Sequence, residues 1–94
     1  NMWYVYILKC NDGSYYTGIA MDIKKRLNQH NSGRGARYTS SHRPVKLVYS
    51  EICASKSAAL KREHQIKKWK RAQKEALIMA GSRKSLRKGK PKKF

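Results

Sequence analysis

Acid is what this chain of 94 residues has least of: five Asp and Glu stand against 23 Lys and Arg, a formal net charge of +18. So lopsided a balance points to a polyanionic partner, nucleic acid ahead of an acidic membrane surface. Charge does not separate binding such a polymer from cleaving it. Cysteine is also sparse. Cys10 and Cys53 make no disulfide framework, and without a CxxC pair or a close Cys/His cluster they make no zinc site, so both are read as interior or strand residues. No apolar run approaches the roughly 18 residues that suggest a bilayer span, and no signal-peptide pattern is present. The expected compartment is therefore the cytoplasm, with no membrane partner; Met2 is read as the natural start and Asn1 is set aside. The length excludes a multidomain machine, since a chain this short buries only about 60 to 65% of its unfolded surface.

What is present argues for a fold. Hydrophobic residues make up 39% of the chain, too many for a disordered polycation. The last twelve residues hold seven basic residues, no acid, a Gly and a Pro, and read as a disordered basic tail over 83–94. Without them, 16 basic residues against 5 acidic ones leave +11 on residues 1–82, so the domain expected over 2–82 is itself strongly basic.

The run Trp3 to Leu8, the turn cluster Asn11-Asp12-Gly13-Ser14 and the run Tyr15 to Ile19 predict a β-hairpin. Asp22 suits the N-cap of a helix carrying Ile23 and Leu27 and fading at Ser32-Gly33. Residues 33–44, rich in Gly, Ser and Arg, read as a loop. A third strand is expected at Lys46 to Ile52, then a helix opened by Ser55 or Ser57 and running to Trp69, then a short one from Ala72 to Ala80 stopped by Gly81. This β-β-α-β-α-α order favours an α+β domain, an antiparallel sheet with helices packed on it.

Some polar residues fall on faces where burial is expected. At 100° per residue, Ile23, Arg26, Leu27 and His30 share an arc of about 100°, which puts Arg26 and His30 on the inward side of the first helix. Ala59, Glu63, Ile66 and Lys70 lie within about 60° of one another on the second, and Glu63 is the only acid between Glu51 and Glu75. Each has an ordinary explanation when taken singly: an ion pair for Glu63, a snorkelling edge side chain for Arg26, a core or capping histidine for His30, sheet aromatics for the tyrosines.

Together they form a constellation. Tyr4-Val5-Tyr6, then Tyr16-Thr17-Gly18 after nine intervening residues, then Arg26 and His30 in "KKRLNQH", then Glu63 in "AALKREHQIKKW", closely resemble the GIY-YIG nuclease family. The stretches "VYILKC-NDGSYYTG", "RLNQHNSGRGARYT", "RPVKLVY", "KREHQIKKW" and "KEALI" resemble its small single-domain bacterial branch, and the likeness runs from Trp3 to Ile78. The resemblance implies a three-stranded antiparallel sheet flanked by helices and a metal-dependent hydrolysis of DNA phosphodiesters. By position, Tyr6 and Tyr16 match the signature tyrosines, Gly18 the glycine, Arg26 the helix arginine, His30 the histidine four residues on, and Glu63 the metal-binding glutamate. Tyr4 stands where the family name has Gly, Thr17 where it has Ile, and no Asn follows Asn31.

Phosphodiester hydrolysis needs an activated water and countercharge on the phosphoryl oxygens. The resemblance implies that Glu63 holds one divalent ion, Mg²⁺ or Mn²⁺, that Arg26 forks onto the phosphate, and that His30 and Tyr16 assist. It allows Tyr6 as general base if neighbouring cations lower its pKa, as their density is expected to do, and leaves open whether Tyr6 or Tyr16 takes the proton. Joint action requires Tyr6 and Tyr16 on one sheet face, which a three-residue turn or a bulge provides and a regular two-residue turn does not. Lys61, Arg62, Lys67, Lys68, Lys70 and Arg71 are the expected backbone-binding cations.

The reading that follows is a DNA endonuclease acting on branched or nicked structures, in repair or recombination. Its competitor is a noncatalytic nucleic-acid-binding module on the same scaffold, with RNA open as a second polymer. Targeting through a separate protein partner is compatible with so small a chain, and its oligomeric state is left open.

Overall fold

The structure is a computed structural model that describes the backbone of residues 2–88 and the side chains of 2–81. Three strands, β1 (Trp3–Lys9), β2 (Tyr15–Ala20) and β3 (Lys46–Cys53), form one antiparallel sheet in the order β2-β1-β3. Four helices complete the chain: α1 (Ile23–Asn31), α2 (Arg37–Ser41), α3 (Lys56–Lys67) and α4 (Arg71–Lys88). The α+β architecture is the one expected.

The central strand explains the layering. Val5, Tyr6, Ile7 and Leu8 are all buried, because β1 is covered on both faces and its apolar run does not alternate with polar residues. Successive side chains point to opposite faces. Tyr6, Leu8 and Cys10 therefore pack with Ala20, Val45 and, on α1, Ile23 and Leu27. Val5 and Ile7 pack on the other side against Ala59 and Ile66 of α3 and Leu77 and Ile78 of α4.

The hairpin has the three-residue connection that joint action of the tyrosines requires. The last strand pair is Lys9 with Tyr15, the Cys10 amide donates to the Ser14 carbonyl at 2.8 Å, and Gly13 takes a left-handed φ of 87°. Asp12 fixes the turn by accepting from the Ser14 amide and hydroxyl at 3.0 and 2.6 Å. The resulting register sets Tyr6 opposite Gly18 and Leu8 opposite Tyr16, so Tyr6 and Tyr16 share a face. On the other side of β1 the pairing shifts between Ile7 and Leu8, and the irregularity lets neighbouring Val48 and Tyr49 pack into the same cluster.

The helix starts follow their caps. Asp22 accepts from the Lys25 amide and Ser55 from the Ala58 amide, as their side chains predict. Three expectations are corrected. The stretch 33–44 is not all loop: α2 lies within it, with no side-chain cap, so no N-cap signal marked it. The second long helix stops at Lys67, which leaves Lys70 off its stripe and exposed at the start of α4. Gly81 does not stop the last helix, whose backbone continues to Lys88. At Gly81 the helix crosses the ring of Tyr49, and a Cβ there would lie 2.7 Å from Tyr49 Cδ1, so this glycine provides close approach rather than termination. The tail expected from Arg83 thus begins inside α4, and residues 89–94 lie outside the described residues.

Candidate active site

The centre of the site is the Tyr6 hydroxyl. Its ring stands on the α1 side of the buried central strand and only 2% of the residue is exposed. The hydroxyl fits because Gly18 lies directly across on β2: a Cβ at that position would sit 2.6 Å from Tyr6 Oη and 2.8 Å from Cζ. The signature glycine is therefore steric space for the signature tyrosine.

α1 delivers the next two groups, as its periodicity predicts. His30, fully buried at the end of the helix, lies with Nε2 2.9 Å from Tyr6 Oη. Arg26, one turn earlier and half-buried, is near enough to act electrostatically on the same hydroxyl and donates through Nη1 to Gln29 Oε1 at 2.9 Å. Tyr16 sets its ring edge against His30, with centroids 5.3 Å apart. The fifth residue, Glu63 on α3, keeps only 14% of its side chain exposed and is close enough to act electrostatically on Tyr6. All five residues named from the sequence converge on one place.

Electrostatics corrects one expectation. Burial pushes the Tyr6 phenol above its ordinary value, and the nearby Arg26, which favours the phenolate, does not overcome it. The same burial, with Arg26 adding to it, pulls His30 down, so the imidazole is neutral at pH 7. A neutral imidazole thus shares a 2.9 Å hydrogen bond with a protonated phenol.

The five acids show why Glu63 differs. Asp12 braces the hairpin turn, Asp22 caps α1, Glu51 binds Arg62 and Tyr49, and Glu75 binds Arg71 and Tyr15. Glu63 has Lys67 as its ion-pair partner, an ammonium at 3.3 Å on a half-exposed side chain. Among the described residues no three His, Cys, Asp or Glu side chains gather into a metal cage. One carboxylate already facing a cation nonetheless fits a hard ion that keeps waters and shares its remaining positions with substrate oxygens.

The expected phosphate-binding cations divide. Lys61, Lys68 and Lys70 are exposed and form no ion pair among the described residues. Arg62 does not face solvent freely: Nε and Nη2 fork onto Glu51 at 2.7 and 3.3 Å, while the guanidinium lies 5.3 Å from the Trp69 ring centre. Arg71 pairs with Glu75 at 3.0 Å and covers Tyr15, and Lys67 lies 5.9 Å from the Tyr16 ring centre as well as beside Glu63. A broad groove along α3, lined by Lys61, Leu60, Lys68 and Trp69, lies outside the tyrosine cluster.

Sequence reasoning missed Thr39 and Tyr38. Thr39 is fully buried with Oγ1 2.6 Å from His30 Nδ1, and Tyr38 stacks between Tyr16 and His42. Both sit on α2, where Gly33 and Gly35 interrupt any periodicity. The only signal was their place in the stretch "RLNQHNSGRGARYT".

A three-stranded sheet with a paired tyrosine, an arginine and histidine from the first helix, and a glutamate from the third defines a recognisable class. A family model described as the GIY-YIG catalytic domain matches residues 2–76, and the chain belongs to this nuclease family. A UPF0213 protein of Staphylococcus saprophyticus is 56% identical over 78 residues, covering 83% of this chain and 95% of the relative. One from Staphylococcus epidermidis is 55% identical with the same coverage. Among solved structures, the solution NMR structure of a UPF0213 protein from Bacillus halodurans is similar at 41% identity and a TM-score of 0.56, and that of a protein from E. faecalis at 39% and 0.59. Each match covers 85% of both chains. No helix among the described residues is long and apolar enough to cross a membrane.

Proposed function

We propose that this chain is a metal-dependent DNA endonuclease that hydrolyses phosphodiester bonds, with structure rather than sequence as its recognition cue. The observation that carries the reading is the convergence of Tyr6, Tyr16, Arg26, His30 and Glu63 around one hydroxyl, in which Tyr6 faces a neutral imidazole at 2.9 Å.

Tyr6 and His30 act as one base. As Tyr6 Oη takes a proton from the attacking water, the phenolic proton passes to His30 Nε2, so the buried phenol need never release a proton to solvent. The phenolate character that develops on Tyr6 during the transfer is transient and is stabilised by Arg26 beside it, and the relay ends with Tyr6 reprotonated by the water and His30 as imidazolium. Arg26 also presents donors to the phosphoryl oxygens, and Tyr16 holds the water from the same sheet face. Glu63 holds a divalent cation, Mg²⁺ or Mn²⁺, with water and substrate oxygens as the remaining ligands. When bound, that ion supplies countercharge to the phosphate and the departing oxygen.

Lys61, Lys68 and Lys70 attract the polymer backbone, a salt-sensitive contribution without sequence preference. No separate domain is available among residues 2–88 to read bases, which favours nicked or branched DNA as substrate. The test is incubation of the protein and Mg²⁺ or Mn²⁺ with nicked, flapped, branched, single-stranded and plain duplex DNA. Cleavage of a branched or nicked substrate ahead of plain duplex is expected. Binding without cleavage on every substrate would leave a noncatalytic module instead.

A further inference from the structure

The hydrogen bonds behind His30 fix which way its proton points. Nδ1 lies 2.6 Å from Thr39 Oγ1, and the Thr39 hydroxyl is 3.0 Å from the Ala36 carbonyl, three residues back in the chain. The Ala36 oxygen already accepts the Ser40 amide at 3.0 Å, and a carbonyl has two lone pairs, so it has room for the hydroxyl as a second donor. A carbonyl cannot donate. The single Thr39 proton therefore goes to Ala36, the ordinary back-bond of a helical threonine, and the Thr39 oxygen is left as an acceptor. His30 must then donate from Nδ1, and its Nε2 carries a bare lone pair. The only proton left to bridge the 2.9 Å gap is that of Tyr6.

We propose that Thr39 is a positioning residue that locks His30 in the Nδ1–H tautomer and so keeps the Nε2 lone pair turned toward the Tyr6 hydroxyl. The chain of donors runs in one direction, from Tyr6 through His30 and Thr39 to the Ala36 carbonyl. Nothing in it has to rearrange when His30 takes the Tyr6 proton, because imidazolium still donates to Thr39 through Nδ1 and then donates back to the tyrosine oxygen through Nε2. In the opposite tautomer Nε2–H would point at Tyr6 and the relay would have no acceptor. His30 and Thr39 are both fully buried, so water does not compete for the bond between them. The role in turnover rests on the nuclease reading, whereas the tautomer lock does not.

The test separates them. Full-length protein labelled with ¹⁵N-histidine is examined by long-range ¹H–¹⁵N correlation at neutral pH, with His42→Gln and His64→Gln assigning the remaining ring to His30. The wild type is expected to carry the proton on Nδ1. Thr39→Ser retains it, and Thr39→Val, which keeps the shape and removes the acceptor, moves the population to Nε2–H. Cleavage is expected to fall about 10- to 100-fold in Thr39→Val and to recover in Thr39→Ser. A wild-type His30 protonated on Nε2 overturns the lock, as does an unchanged tautomer in folded Thr39→Val. Full cleavage by a Thr39→Val protein whose tautomer has moved overturns its role in turnover. If the wild type cleaves nothing, the nuclease reading fails and the lock still stands or falls on the spectra.

Discussion

Glu51 and Arg62 are joined by a two-pronged hydrogen bond, at 2.7 and 3.3 Å, that ties β3 to α3 one residue before Glu63. Tyr49 donates to the same carboxylate at 2.5 Å, and burial, with this sharing behind it, pushes its phenol up to about 12. With about a quarter of each charged side chain exposed, breaking the pair is expected to cost about 1–2 kcal/mol. Arg62→Ala should lower the melting temperature by several degrees and leave the salt dependence of DNA binding unchanged. A loss of about one from that slope with stability intact would make Arg62 a phosphate ligand after all.

Lys67 holds the carboxylate to which the metal is assigned in the proposed reaction. Replacing Lys67 by Met removes a positive charge 3.3 Å from Glu63, worth about 1 kcal/mol at a solvent-exposed position. Mn²⁺ affinity without DNA, followed by electron paramagnetic resonance, should therefore rise about fivefold. Unchanged affinity would mean that the ion binds elsewhere.

Gly18→Ala should act through Tyr6. The added Cβ meets Oη and Cζ inside a packed layer that has no room to move the ring, so a loss of about 1–3 kcal/mol is expected. In a double-mutant cycle with Tyr6→Phe, which removes one of the two clashing atoms, the combined loss should fall short of the sum. Additive losses would place the strain elsewhere.

Stability should decline on the acid side. His30 is held below its unfolded value near 6.5, so from pH 6.5 downward the unfolded chain binds a proton that the folded chain refuses. His30 therefore contributes a loss that begins at pH 6.5 and grows as pH falls toward its folded-state value. Urea unfolding at stepped pH should show this loss in the wild type and a flatter profile in His30→Gln. The same slope in both proteins would assign it to another group.

Thr17 brings a buried hydroxyl for which no partner exists among the described residues. Thr17→Val removes that unsatisfied group without changing shape and should raise stability by about 1 kcal/mol, read as a higher urea midpoint. A drop would show that the hydroxyl has a partner, such as a bound water.

The elements that were legible in the sequence are those set by local rules. The run Trp3 to Leu8, the Asp12-Gly13 turn, and the caps Asp22 and Ser55 each act within a few residues, and each is found where expected. The five candidate residues were visible because three, Arg26, His30 and Glu63, lie on inward helix faces and the two tyrosines stand in a familiar order with them. What escaped depends on tertiary contact. α2 has neither cap nor period and is held by Thr39 against His30 and by Tyr38 between two rings. Gly81 carries a stop signal that packing on Tyr49 overrides. The Tyr6 phenol was expected to be acidified by the many cations, but among the described residues Arg26 is the only cation that acts on it and burial outweighs it. Arg62 looks like a phosphate binder in a basic run, and only the fold reveals Glu51 across from it.

In the proposed reaction Tyr6 and Glu63 perform chemistry on a nucleic acid that Lys61, Lys68 and Lys70 hold. That assignment is tested most directly by single-turnover cleavage of a branched DNA with Mg²⁺, comparing wild type, Tyr6→Phe and Glu63→Gln at protein concentrations that saturate binding. Cleavage by the wild type is expected, with a loss of at least about 100-fold in each variant and undiminished DNA affinity in both. Wild-type rates in either variant, or no cleavage by a wild type that binds, would contradict it.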